Sequence, residues 1–219
     1  NKIRNGEKMR KIKFLLVTMF VVLFFTACGN KYSVENLKKN NNLLKETVQK
    51  CKIKRDEKIC KNVEKAQSEL ALEAWNKVKP EIEAKLDKIS KELLAGNFTT
   101  SMENAPERLW EWEAKNASTT PQKAKEITLQ LLMNALKYIK IEKVEYDLEN
   151  VKIGQTNTGR NYVIIPTKSI VSGQGKKVEL NQKSLVFEDK NKWYIVNINE
   201  RNKHILKELY SDFKDVNID

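Results

Sequence analysis

The chain has 219 residues, with 41 Lys and Arg against 29 Asp and Glu, a formal charge of +12 and a mean hydropathy of −0.60. A single histidine, His204, and three cysteines leave too few ligands in a suitable pattern for a zinc site. The basic balance by itself raises nucleic acid as a partner, but the first residues of the chain argue against it.

Met9-Arg10-Lys11-Ile12-Lys13 is a basic start, Phe14 to Phe25 an apolar run, and Thr26-Ala27-Cys28 a small-residue end. That order is the layout of a secretory signal peptide, and the apolar run is too short to span a bilayer as a helix. Residues before Met9 read as upstream sequence. Thr26-Ala27-Cys28 resembles a bacterial lipobox, with Phe25 where Leu is more usual. The resemblance implies that the Cys28 thiol receives diacylglycerol, that Cys28 becomes the mature N-terminus, and that the protein is held in the cell envelope through this lipid. An ordinary cleaved signal peptide with an incidental cysteine is the alternative. Gly29 follows Cys28 in place of the aspartate tied to inner-membrane retention in enteric bacteria, which favours a periplasm-facing outer-membrane placement. Export separates the mature chain from cytoplasmic nucleic acid. Lys2, Arg4, Lys8, Arg10, Lys11 and Lys13 against Glu7 remove a surplus of five with the leader, leaving about +7. This remainder reads as a lysine-rich surface with mild attraction for anionic headgroups.

With Cys28 lipidated, Cys51 and Cys60 remain as a pair, and an exported chain permits a disulfide between them. So short a closed loop stabilises by roughly 2–3 kcal/mol. The segment 28–73 reads as a helical hairpin module. Gly29–Ser33 is a polar tether. Leu37, Leu44, Val48 and Cys51 fall near one helix face, which Asn40-Asn41-Asn42 weakens locally. Lys52–Lys58 forms the turn, and a second helix begins near Cys60 with Val63, Ala66 and Leu70 at helical spacing. A hairpin this small needs the staple.

Tyr32-Ser33-Val34, the helix ending in Lys50-Cys51, the charged spacer and Cys60-Lys61-Asn62-Val63-Glu64-Lys65-Ala66 resemble the EexN family, the entry-exclusion lipoproteins of conjugative plasmids. The family pattern after the second cysteine is x-Asn-Ala-x-x-Ala. This chain keeps Asn62 and Ala66 and has Val63 for the first alanine. The resemblance covers residues 28 to about 72. It implies a protein that blocks redundant plasmid entry by engaging a component of the incoming type IV secretion apparatus, without chemistry or cofactor.

Residues 74–219 read as an α+β domain. Trp75, Val78, Ile82, Leu86, Ile89 and Leu93 form a helical stripe ending at Gly96, a plausible C′ residue. Pro80 is expected to start this helix or kink it. A shorter helix from Pro106 to about Lys115 carries Leu109, Trp110 and Trp112. Thr120-Pro121 reads as an N-cap and first-turn proline, opening a helix with Ala124, Ile127, Leu131, Ala135 and Tyr138 on one face. From Glu142 the period becomes two: Val144, Tyr146 and Leu148 alternate with Glu145, Asp147 and Glu149. Asn150 marks an expected bulge before Val151 and Ile153. Tyr162-Val163-Ile164-Ile165 precedes Pro166, whose missing N–H suggests an edge or a bulge. Gly154–Gly159 and Gly173–Gly175 are turns, and Glu188–Lys192 joins strands Val178–Phe187 and Trp193–Ile198.

Helices followed by four antiparallel strands give an α+β class, with helices packed on a curved, cone-like sheet. The element order resembles the nuclear transport factor 2-like fold, with a cystatin-like arrangement as the competitor. No Ser/His/Asp order, phosphate-cradling glycine loop or metal-spaced cluster is present, so catalysis is not expected. Glu145, Asp147 and Glu149 read as a solvated face. Trp75 and Trp193 read as core. Trp110 and Trp112, two apart, cannot share a helix face, so one of them is a candidate interface anchor. Two functions follow: entry exclusion by protein recognition, or a lipid-anchored binding module whose cone holds a small ligand or peptide.

Overall fold

The structure, a computed structural model, describes residues 31–218, so Cys28 and the lipobox-like segment lie outside the described residues. The chain divides into two compact units, one ending at Ala66 and the other beginning at Gln67. That division falls inside one long helix.

The first unit contains α1 (Val34–Lys39), α2 (Asn41–Ile53) and the start of α3 (Glu57–Leu94). Ser33 opens α1 by accepting the Asn36 N–H on its hydroxyl at 3.3 Å. The helix then breaks at Asn40. Its N–H still closes α1 on the Asn36 carbonyl, while its side-chain oxygen accepts the Leu43 N–H at 3.0 Å and restarts the chain as α2. The Asn run thus does more than weaken one helix, because an Asn side chain can replace a backbone partner and serve as a cap. Asp56 accepts the Ile59 N–H at 3.1 Å, which places the start of α3 at Glu57, one turn before Cys60. Leu37, Leu44, Val48, Cys60, Val63 and Ala66 are buried.

The two helices expected around Cys60 and Trp75 are a single helix of 38 residues, and Pro80 neither starts nor ends it. Pro80 and Asn76 are both exposed, so the Asn76 carbonyl that loses its i+4 partner faces water. The cost of the proline is met on the outer face, and the stripe Trp75, Ile82, Leu86 and Ile89 stays buried. Gly96, at φ +74°, ends the helix: its N–H bonds the Leu93 carbonyl, and the Asn97 N–H bonds that of Glu92 at 2.8 Å.

Three helices follow, α4 (Thr99–Glu103), α5 (Glu107–Asn116) and α6 (Pro121–Ala135). Thr120 caps α6 by accepting the Lys123 N–H at 3.2 Å, with Pro121 in the first turn. The expected inner face of α6 is corrected. Ala124 is buried, but Ile127, Leu131 and Tyr138 are 39%, 65% and 71% exposed. Leu129, Leu132 and Leu136, on the neighbouring stripe, are the less exposed residues. The sequence offers two apolar stripes on α6, and periodicity cannot rank them.

The sheet is antiparallel and curled into a half-barrel. Its strands are β1 (Lys140–Tyr146), β2 (Lys152–Gln155), β3 (Asn161–Gly173), β4 (Lys176–Asp189) and β5 (Lys192–Ile198), in the order β1-β3-β4-β5 with β2 also on β3. β1 pairs with Tyr146 opposite Thr167, and β2 with Lys152 opposite Ile164. The two are one broken edge lying along the same side of β3. The break spans 147–151, where Asp147 accepts the N–H groups of Glu149 and Asn150 at 3.1 and 3.0 Å.

This break accounts for Pro166, which lies in an interior strand rather than at an edge. Its carbonyl accepts the Asp147 N–H at 2.9 Å, so its ring nitrogen also faces the β1/β2 side. There the ladder is already interrupted, and no donor is missed. The long β3–β4 hairpin turns on Gln174-Gly175, and β4–β5 on Lys190-Asn191, all four at positive φ. Both are two-residue turns of the type that matches strand twist.

The apolar run Tyr162–Ile165 is buried throughout because β3 is covered on both faces. Val163, Ile165, Val186 and Ile195 pack with Trp75, Ile82, Leu86 and Ile89 of α3. Tyr162, Ile164, Leu185, Phe187 and Val196 pack on the other side with Leu206, Tyr210 and Phe213, from α7 (Glu200–Leu209) and the closing 3-10 turn Ser211–Asp215. Strand β5 leaves an open edge, and the Ile195 N–H there is taken by the Asn104 carbonyl at 2.9 Å.

Candidate functional sites: a stapled hairpin and a half-barrel cavity

Each compact unit carries one candidate site. In the first, Cys51 and Cys60 form a disulfide with their Cα atoms 5.7 Å apart, closing the turn between α2 and α3. Cys60 is buried and Cys51 half-buried. Asn62 donates from its side-chain nitrogen to the Tyr32 carbonyl at 2.9 Å, tying the start of the described chain to the helix after the staple. Ala66 is fully buried, where a larger side chain would need space. The two positions singled out by the family pattern therefore both organise the hairpin: Asn62 by a hydrogen bond, Ala66 by its size.

Beside the disulfide lies a groove of about 490 Å³ lined by Tyr32, Thr47, Lys50, Ile53, Lys54 and Ile59, among others. Ile53 is 88% exposed, the most exposed large apolar side chain described. It ends α2 between Lys52 and Lys54, with Lys50, Arg55 and Lys58 exposed nearby, as are Asp56 and Glu57. The surround is mainly basic but mixed: Asp56 also lines the groove, and Arg55 pairs with Glu64 at 3.5 Å.

The second site occupies the α3-facing side of the sheet in the other unit. Cross-strand rows run along it. Val163, Val186 and Ile195 form the first row, and Ile165, Ser184 and Asn197 the second. Tyr146, Thr167 and Gln182 form the third, and Val144, Ser169 and Leu180 the fourth. The first row is core. From the second onward, Ser184, Thr167 and Ser169 stand where larger apolar residues would fill the space, and a cavity of about 340 Å³ opens. Ile89 and Leu93 of α3, Phe98 before α4, Ser101 in it, Leu132 and Ala135 of α6 and Leu136 just after it line its wall.

Polar groups on this wall are partly paired. The Thr167 and Ser184 hydroxyls lie 3.0 Å apart, and the Asn197 side chain donates to that of Gln182 at 3.3 Å. Burial pushes the Tyr146 phenol up to about 12, so it is a neutral donor and acceptor at any physiological pH. None of the described residues lining the cavity is Asp, Glu, Lys, Arg or His. The lining thus offers neutral hydroxyl and amide groups that can bind and orient a molecule.

Trp110 is buried at 6% exposure, and its indole N–H has no hydrogen-bond partner among the described residues. Trp112 is half-buried. Neither presents a fully exposed anchor. His204 lies in α7 and lines neither the groove nor the cavity. Among the described residues no group of three or more His, Cys, Asp and Glu could hold a metal, and no helix is long and apolar enough to cross a membrane.

Sequence reasoning did not single out the most buried charged cluster. Arg160 bonds Asp212 through Nε and Asp189 through Nη1, both at 2.9 Å, and also the Glu188 carbonyl. Thr156 and Thr158 donate their hydroxyls to the same Asp212 oxygen. Burial pushes the Asp212 carboxyl up, but the Thr158 and Thr156 hydroxyls and the Arg160 charge outweigh it and hold it below the ordinary range. The cluster pins the β2–β3 turn to the C-terminal 3-10 turn and has a structural role. Its members are spread from 156 to 212, so no local pattern joins them. Comparison of the chain with models of known families, with curated proteins and with solved structures finds no significant match.

Proposed function

We propose that this chain is a lipid-anchored envelope protein that acts by recognising another protein rather than by catalysis, and that its task is entry exclusion against redundant conjugative transfer. The observation that carries the reading is the stapled hairpin. The Cys51–Cys60 disulfide, the Asn62 bond to Tyr32 and the buried Ala66 lie together in one small unit and leave Ile53 and its basic neighbours exposed. This is how a recognition surface on a short module is held rigid: the entropy of ordering it is met before the partner arrives. The partner in this reading is an envelope-exposed component of the incoming type IV secretion apparatus. The lipid on Cys28 holds the module at the membrane, with outer-membrane placement favoured by Gly29.

The test is conjugation frequency into recipients that express the wild type or Cys28→Ser. Exclusion predicts a large drop with the wild type and recovery without the anchor. An unchanged frequency against the cognate plasmid, with the protein present in the envelope, contradicts it.

A second reading, a lipid-anchored binding module, is favoured by the half-barrel cavity, which is mostly apolar with convergent neutral polar groups. The two readings involve different units of the chain, so they make separate predictions.

A further inference from the structure

We propose that the half-barrel cavity binds one uncharged amphiphile: a single alkyl chain or small fused-ring body carrying one neutral hydrogen-bonding head such as a hydroxyl. The proposal rests on the binding-module reading and extends it by naming the ligand's chemistry.

Charge is the first argument. The chain is about one-third charged residues, yet none lines this cavity among the described residues. A carboxylate or ammonium entering it would lose its hydration with no opposite charge to replace it. A neutral ligand avoids that cost.

Polarity is the second. The roof supplied by Ile89, Leu93, Phe98 and Leu132 is apolar apart from Ser101, whereas the sheet wall is richer in polar groups, with Tyr146, Thr167 and Gln182 in one row across three strands. A molecule with an apolar body against the helices and one polar end on this row satisfies both walls. A wholly apolar ligand would cover those polar groups without replacing their hydration.

Size and access are the third. At about 340 Å³ the cavity lies at the lower end of the roughly 300–1,000 Å³ typical of ligand pockets, enough for one small molecule. Ile139 and Leu180 line it while remaining 41% and 39% exposed, so its mouth is largely apolar, with Asn197 as an exposed polar residue on it. Such a mouth favours entry of an apolar chain over a hydrated ion.

The experiment uses the full chain carrying Cys28→Ser, which keeps a covalent acyl group out of the assay. N-phenyl-1-naphthylamine, a neutral fluorescent probe, is titrated to measure saturable binding, then displaced with 1-decanol or with decanoate at pH 7.5. The expected result is one-site probe binding, displacement by decanol, and displacement by decanoate weaker by about tenfold or more. Ser169→Phe, which fills the cavity from β3, is expected to weaken probe binding about tenfold or more with an unchanged far-ultraviolet spectrum. Ala135→Trp fills it from the exposed helix α6 and supplies the same test if Ser169→Phe does not fold. Absence of saturable probe binding, or binding that survives both filling variants, overturns the site itself. Probe binding lost in the variants but displaced equally well by decanoate keeps the binding module and overturns the neutral ligand class.

Discussion

Asn62 and Tyr32, thirty positions apart, are joined by a side-chain-to-carbonyl bond of 2.9 Å, and the Cys51–Cys60 disulfide lies between them in the chain. Two links of different kinds therefore close nested loops in one small unit. Removing the Asn62 donor by Asn62→Ala takes away this one bond to the half-buried Tyr32 and is expected to cost about 1 kcal/mol. Removing the staple by Cys51→Ser with Cys60→Ser is expected to cost roughly 2–3 kcal/mol. Thermal unfolding with and without reductant checks both. Reductant should lower the midpoint of the wild type and Asn62→Ala, and should leave the double serine variant unchanged.

The Arg160–Asp212 pair predicts a different signature. Asp212 is 6% exposed, so Asp212→Ala takes from Arg160 one of its two carboxylate partners and from Thr156 and Thr158 their shared acceptor, and should cost about 2–3 kcal/mol. The folded carboxyl titrates below its unfolded value, so its contribution is present in full above the ordinary aspartate range. It is lost as pH falls through that range toward the lower folded value. Denaturant titrations at a series of acidic pH values should therefore show a steeper loss for the wild type than for Asp212→Ala. Equal slopes would remove the pair from the account.

The Thr167 and Ser184 hydroxyls test whether the cavity wall is paired as described. Thr167→Val alone strands the Ser184 hydroxyl in a buried site and should destabilise by about 1–2 kcal/mol. Combining Thr167→Val with Ser184→Ala removes both partners and should cost less than the sum of the two single changes. A double-mutant cycle by denaturant unfolding measures the coupling, and strict additivity would contradict the pairing.

On α6 the two apolar stripes make opposite predictions. Leu131, at 65% exposure, should accept Leu131→Gln with a change within about 0.5 kcal/mol. Leu136→Ala, on the stripe turned to the cavity, should cost about 1–2 kcal/mol. If Leu131→Gln proves the more damaging, the Ile127, Leu131 and Tyr138 stripe is the buried one.

These cases show which features were legible in the residues and which were not. The α3 stripe from Trp75 to Leu93, its Gly96 end and the Thr120-Pro121 start rest on short-range rules, and the sequence carries them; the two hairpins were placed, but the loop expected over Glu188–Lys192 is only Lys190-Asn191. Pro80 and Pro166 did not follow their local rules because each sits where the hydrogen bond it removes faces water or a gap in the ladder. Asn40 became a cap, a role for which Asn is well suited but which periodicity does not register. The cavity was least legible: Thr167, Ser169 and Ser184 look unremarkable singly, and only strand register puts them on one wall. Cys51 and Cys60 were readable as a pair, whereas the Asn62 bond to Tyr32 needed the fold.

The most direct measurement of the central claim, recognition by a stapled, anchored hairpin, is conjugation of the cognate plasmid into recipients expressing wild type or Cys51→Ser/Cys60→Ser at matched envelope levels. The account predicts a large fall in transfer with the wild type and restored transfer with the double variant. Exclusion that persists without the disulfide would contradict it and move recognition away from the hairpin.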